Sequence, residues 1–104
     1  MLKLSEISPL PNSVIEFLTK TASIEQVDRM IVFGSRAFLD HENYSDLDLA
    51  IDAPLITKKE WIILKEIAYY EVRTVLQLSL VHWNSNPVRL QEHIVKTGKI
   101  IYVK

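Results

Sequence analysis

The chain contains no cysteine, which excludes a disulfide framework, a thiolate zinc site and a cysteine nucleophile together. Glycine and proline are scarce, two and four residues scattered over 104, so no Gly/Pro-rich linker separates modules and no internal repeat or low-complexity tract is present. Charge of one sign is also missing. Twelve Lys and Arg against thirteen Asp and Glu leave a net charge of -1, and such a chain lacks the basic footprint that duplex DNA binding needs. No uninterrupted apolar run exceeds four residues, far short of a membrane span, and Met1-Leu2-Lys3-Leu4-Ser5-Glu6 lacks the apolar region of a secretion signal. A cytoplasmic protein without a membrane partner is expected.

What is present is ordinary globular material, 48% hydrophobic and 24% charged, enough for one domain over residues 1–104. The breaker cluster Pro9-Leu10-Pro11-Asn12 precedes Val14, Ile15, Phe17 and Leu18 at helical spacing, which predicts a helix over about 12–21. Met30-Ile31-Val32-Phe33, ended by Gly34, reads as a buried strand with room for a short helix after the glycine. In Asp46-Leu47-Asp48-Leu49-Ala50-Ile51-Asp52 the alternation places Leu47, Leu49 and Ile51 on one face and the aspartates on the other.

Thr57-Lys58-Lys59-Glu60 has the form of a capping box and opens a helix to about 71 or 72. Ile63, Leu64, Ile67, Ala68 and Val72 form its expected core sector, and Ile62 with Tyr69 falls on the exposed side as a candidate partner or homodimer contact. A strand is expected over Thr74–Trp83, with Gln77, Ser79, Val81 and Trp83 on one face and the Trp83 ring packed on the sheet. Asn86-Pro87 opens the last helix, Gly98 is suited to a left-handed stop, and Ile100–Val103 forms the last strand. The sum is an α/β (α+β) domain, a small mixed sheet covered by helices.

Chemistry concentrates in Gly34-Ser35, ten residues, then Asp46-Leu47-Asp48. A glycine at a strand-to-helix turn lets backbone approach a phosphate, and Ser35 adds a hydroxyl. Asp46 and Asp48, two apart on a strand, project to one side and repel each other unless a hard cation lies between them, for which Mg²⁺ is the simplest choice. Between Ala37 and Thr57 there are five acids, Asp40, Glu42, Asp46, Asp48 and Asp52, and no Lys or Arg, which implies bound cation or solvent. Taken alone, the aspartates equally suit a turn at Ser45-Asp46 and a strand residue facing water. His41 reads as a solvated loop histidine, and His82 and His93 have no histidine partner for a metal motif. Ser35 lacks the Gly-x-Ser-x-Gly surroundings of a hydrolase nucleophile.

Val32-Phe33-Gly34-Ser35-Arg36-Ala37 and Tyr44-Ser45-Asp46-Leu47-Asp48-Leu49-Ala50-Ile51 together resemble the signature of the minimal nucleotidyltransferases (MNT) of the DNA polymerase β-like superfamily. The resemblance covers nearly the whole chain and implies that fold. It implies phosphate contacts at Gly34 and Ser35, with Arg36 and Ser45 as further nucleotide contacts. It also implies Mg²⁺ ligation and catalysis at Asp46 and Asp48, and ATP as nucleotide donor. The partner it implies is a helical HEPN-type toxin neutralised by binding or by AMP transfer onto one of its hydroxyls. Two departures set this chain apart: Phe38-Leu39 stands where the family commonly has Arg-Gly, and Ser79 occupies the position of a usual third aspartate. No acid occurs between Arg73 and Gln91, and Glu71, eight residues before Ser79, lies about 26 Å away along an extended strand. Two readings therefore remain: a transferase that tolerates Ser79, or a nucleotide-binding module that neutralises its partner by contact alone.

Overall fold

The computed structural model describes residues 2–7, 9–37, 46–72 and 76–104. Helix α1, Asn12–Ala22, leads into strand β1, Arg29–Phe33, and a 3₁₀ turn over Gly34–Ala37. Strand β2, Leu47–Asp52, is followed by helix α2, Lys58–Glu71, and strand β3, Leu78–His82. A second 3₁₀ turn, Trp83–Ser85, helix α3, Val88–Thr97, and strand β4, Lys99–Val103, complete the order. The four strands form one mixed sheet in the order β3-β2-β1-β4. β1 runs antiparallel to both β2 and β4, whereas β2 and β3 are parallel, the crossover between them carried by α2.

The alternation seen in β2 is what divides the layers. Leu47, Leu49 and Ile51 join Met30 and Val32 of β1 in the main core, which α1 covers with Val14, Phe17 and Leu18 and α2 with Leu64 and Ala68. The opposite face is smaller: Ile31 and Ala50 pack with Ile94 of α3, and Phe33 and Trp83 close around them. The expected Trp83 packing is therefore present, although Trp83 opens the 3₁₀ turn rather than ending a strand. β3 starts at Leu78, later than Thr74; positions 73–75 lie outside the described residues.

The capping box forms as its residues dictate. The Glu60 amide donates to Thr57 Oγ1 at 3.1 Å, and the Thr57 amide donates to Glu60 Oε1 at 2.9 Å. These two bonds favour the ionised carboxylate and lower the Glu60 pKa. The core sector of α2 differs from expectation at Ile63, which is 46% exposed. Trp61 packs on the main core, so the apolar stripe is centred on Trp61, Leu64 and Ala68, and Ile63 falls outside it. Ile62 and Tyr69 are exposed, as their positions on the wheel predict. Among the described residues no helix is long and apolar enough to cross a membrane.

Gly98 ends α3, but not in the left-handed conformation its sequence context suggests: its φ is -86° and ψ 177°. Its smallness answers a packing requirement instead. A Cβ there would stand 2.6 Å from the Ile94 carbonyl oxygen, 2.7 Å from Ile31 Cγ2 and 2.9 Å from the Val32 carbonyl oxygen. The end of α3 thus comes close to β1 at a residue without a side chain. Gly98→Ala is expected to lower the unfolding free energy by about 1–3 kcal/mol, as overpacking does, with no relief from the ordinary φ; urea denaturation measures it.

Candidate functional site

The edge of the α3 face is built by strand register. Phe33, the last residue of β1, pairs with Asp48 of β2, and Asp48 pairs on its other side with Ser79 of β3. Partners across a ladder share a face, so Phe33, Asp48 and Ser79 stand side by side at one end of the sheet. Gly34 follows Phe33 with φ +71°, the left-handed region that glycine enters without steric penalty. A Cβ at Gly34 would overlap Asp48 Oδ2. The absent side chain therefore lets the Asp48 carboxylate lie directly against the turn backbone, a different contact from the approach of a phosphate that the Gly-Ser pattern suggests.

Asp46 precedes β2 and is exposed; Asp48 is half-buried. Burial raises the Asp48 pKa, and the negative charge of Asp46 raises it further. A half-buried carboxylate whose ionisation a neighbouring carboxylate opposes, with hard oxygen donors beside the bare backbone of Gly34, fits a divalent cation such as Mg²⁺, which is commonly held by one or two carboxylates together with substrate phosphates. Among the described residues no group of three or more His, Cys, Asp or Glu is placed to hold a metal. Among the described residues the pair has no third acid beside it, and the residue flanking Asp48 on β3 is the neutral Ser79.

Other candidate residues separate. Arg36 is 3% exposed and lies inside the 3₁₀ turn rather than facing solvent, and burial lowers its pKa. Ser35 lies in the same turn, next to Gly34. Ser45 and His41 lie outside the described residues, as do Asp40 and Glu42.

The inference that the acids from 37 to 57 share a cation or solvent fails at Asp52. Its Oδ2 accepts from Arg29 Nε at 2.7 Å and its Oδ1 accepts from Asn84 Nδ2 at 2.9 Å. Arg29 lies outside the window of charge counting and reaches Asp52 because the two are ladder partners. Its guanidinium also stacks over Trp83, 4.7 Å from the ring centroid. Asn84 Oδ1 in turn accepts from the Ala53 amide at 2.7 Å. Asp52 is a structural anchor tying β1, β2 and the second 3₁₀ turn together, and sequence distance concealed it.

Among sequence families, the one described as Polymerase beta, Nucleotidyltransferase matches residues 12–104. The chain belongs to this family. Solved structures agree in fold. A crystal structure of the toxin–antitoxin pair MntA-HpeT, in a mutant with two aspartates two positions apart changed to glutamate, superposes with a TM-score of 0.60 at 20% identity, covering 89% of this chain and 72% of that one. A second MntA-HpeT structure, a mutant with one tyrosine changed to alanine, gives 0.60 at 23% identity over 92% and 75%. No curated protein matches the chain significantly.

The two aspartates on the α3 face are expected to respond oppositely to neutralisation. A carboxyl whose pKa is raised by folding weakens the fold where it is ionised, and that cost disappears as pH falls through its folded pKa. Asp48→Asn should therefore raise the melting temperature at neutral pH without cation, by a margin that closes on acidification, and should remove the stabilisation Mg²⁺ gives the unsubstituted chain. Asp52→Asn, which leaves Arg29 unpaired, should cost about 2 kcal/mol and keep the Mg²⁺ response; melts with and without cation at several pH values separate them.

Proposed function

We propose that the chain is a Mg²⁺-dependent nucleotidyltransferase that moves AMP from ATP to a hydroxyl of a partner protein, as the antitoxin of a HEPN/MNT toxin–antitoxin pair. The observation that carries this reading is the register that sets the Asp48 carboxylate against the bare backbone of Gly34. A triphosphate entering here meets backbone rather than side chain at Gly34 and, beside it, the carboxylates of Asp46 and Asp48. Gly34, Ser35, Arg36 and Ser45 are the nucleotide contacts of this reading, and Asp46 and Asp48 hold the cation. Bound Mg²⁺ would draw charge from the phosphates as the leaving group departs.

In the transfer, the acceptor oxygen forms a bond to the α-phosphorus, the bond to the bridging oxygen breaks, and pyrophosphate leaves. The acceptor's proton needs a base. Ser79 already carries its hydroxyl proton and cannot take another, so the proton passes to solvent or to a base that accompanies the acceptor. A general base contributes about 10²–10⁴ in rate. Cation binding by Asp46 and the half-buried Asp48 does not require that base, which favours a second reading: a nucleotide-binding module that neutralises its partner by contact alone. Support for a toxin as partner comes from the MntA-HpeT complexes that share the fold, one of them altered at an aspartate pair with the spacing of Asp46 and Asp48.

Incubation with α-labelled ATP, Mg²⁺ and the protein encoded beside it tests both readings, with label followed on protein. The transferase reading expects label on the partner, its loss in Asp46→Asn, and a gain of about 10²-fold or more in Ser79→Asp. Label from Ser79→Asp alone, with partner binding unchanged in the native chain, establishes the contact reading; no label from the native chain or from Ser79→Asp refutes the transfer.

A further inference from the structure

The other end of β3 carries a polar arrangement that neither reading uses. His82, the last residue of β3, faces a hollow of about 510 Å³ whose wall includes Lys58, Trp61, Leu80, Ser85 and Asn86. Its Nε2 lies 2.9 Å from the Ala53 carbonyl oxygen. A carbonyl can only accept, so Nε2 carries the proton, and in the neutral ring Nδ1 is left with its lone pair. Ser85 Oγ is in hydrogen-bond contact with that nitrogen, and the hydroxyl therefore donates to it. The ring is further fixed by Trp61, whose centroid lies 5.2 Å away at a tilt of 41°, and the turn by Asn86 Nδ2 donating to the His82 carbonyl at 2.8 Å. Ser85 itself is exposed. A hydroxyl bonded to an imidazole whose tautomer is set by a third group is the pattern of an activated nucleophile.

We propose that Ser85 is a nucleophilic hydroxyl, with His82 as its base, and that it accepts a nucleotidyl group from a nucleoside triphosphate held by a second copy of the chain. The donor assignment rests on the transferase reading. Ser79 and His82 are three positions apart on β3, about 10 Å, and Ser85 lies beyond, so the acceptor stands away from its own copy's Asp48 and the transfer runs between copies. In the step, Ser85 Oγ forms the bond to the α-phosphorus, its proton moves to His82 Nδ1, the bond to the bridging oxygen breaks, and pyrophosphate carries away the electron pair. The arrangement supplies the base that Ser79 cannot. An acceptor of this kind needs only the triphosphate and cation from the other copy.

The test has two arms on the full chain. A fluorophosphonate reporter, which needs neither ATP nor cation, should label Ser85, and His82→Gln should slow labelling by about 10²–10⁴-fold. Labelling of Ser85 no faster than of the exposed Ser23, or unaffected by His82→Gln in a variant with native melting behaviour, overturns the activation. In the second arm, α-labelled ATP, Mg²⁺ and the neighbour-encoded partner are added to a mixture of Ser85→Ala and Asp48→Asn copies. Label on Ser85 of the Asp48→Asn copy is the expected result, because that copy can accept but not donate. Label on the neighbour-encoded partner with none on Ser85 overturns the acceptor while the transferase reading stands. Absence of label from every protein, with fluorophosphonate reactivity intact, refutes the transferase reading and with it the nucleotidyl donor.

Discussion

The register of β2 against β1 is the constraint on which the rest of the molecule depends. At one end it pairs Arg29 with Asp52 and at the other Phe33 with Asp48. Because side chains alternate along a strand, a slip of one residue would send Leu47, Leu49 and Ile51 to the α3 face and turn both aspartates of the strand into the main core. Two forces oppose that slip. One is the burial of those three side chains under α1 and α2. The other is the Arg29–Asp52 ion pair, which has its partner only in this register. The acid that looks like part of the site therefore fixes the register that positions the site.

This explains what the sequence could and could not disclose. The helices, the β2 alternation and the Thr57–Glu60 capping box were legible because each is local, whereas the contact of Asp48 with Gly34 follows from the β1–β2 ladder. Asp52 was misassigned because its counter-ion, Arg29, is 23 positions away and only the ladder brings them together. Gly98 was given a conformational reason when its role is spatial: the helix end approaches Ile31 and Val32, residues that no local pattern connects to it. Ile63 lies outside the core sector because Trp61 packs on the core and moves the apolar stripe. The His82–Ser85 contact left no motif, since its third member, the Ala53 carbonyl, is backbone 29 positions earlier.

The pairing of Asp48 with Ser79 gives physical form to the departure at the third acid position. A replacement carboxylate from Glu71 is ruled out by place as well as by distance along the chain, because Glu71 ends α2 and forms an exposed ion pair with Lys20 of α1. Holding a cation and accepting a proton are separable demands on the same pocket. The first needs oxygen donors close enough for one charge to oppose another, as the charge of Asp46 opposes the ionisation of Asp48. The second needs a group that is unprotonated at neutral pH and within reach of the acceptor, and a serine hydroxyl fails it. Ligand binding is thus better provided for than chemistry, which is why the acceptor's own surroundings matter so much to this domain.

An acceptor hydroxyl in a basic setting changes that balance. The barrier to transfer has one contribution from charge developing on the phosphates and another from the proton on the attacking oxygen, and the two need not be met by the same molecule. In the transfer proposed above, the phosphate side is met at the start of β2 of one copy and the proton side by His82, at the end of β3 of another. The single parallel pairing in the sheet keeps these groups apart, since β2 and β3 run in the same direction and their opposite ends cannot converge within one copy. Separation within a copy makes encounter between molecules the controlling step, so the rate of such a transfer rises with protein concentration, whereas a site complete within one chain would show no such dependence.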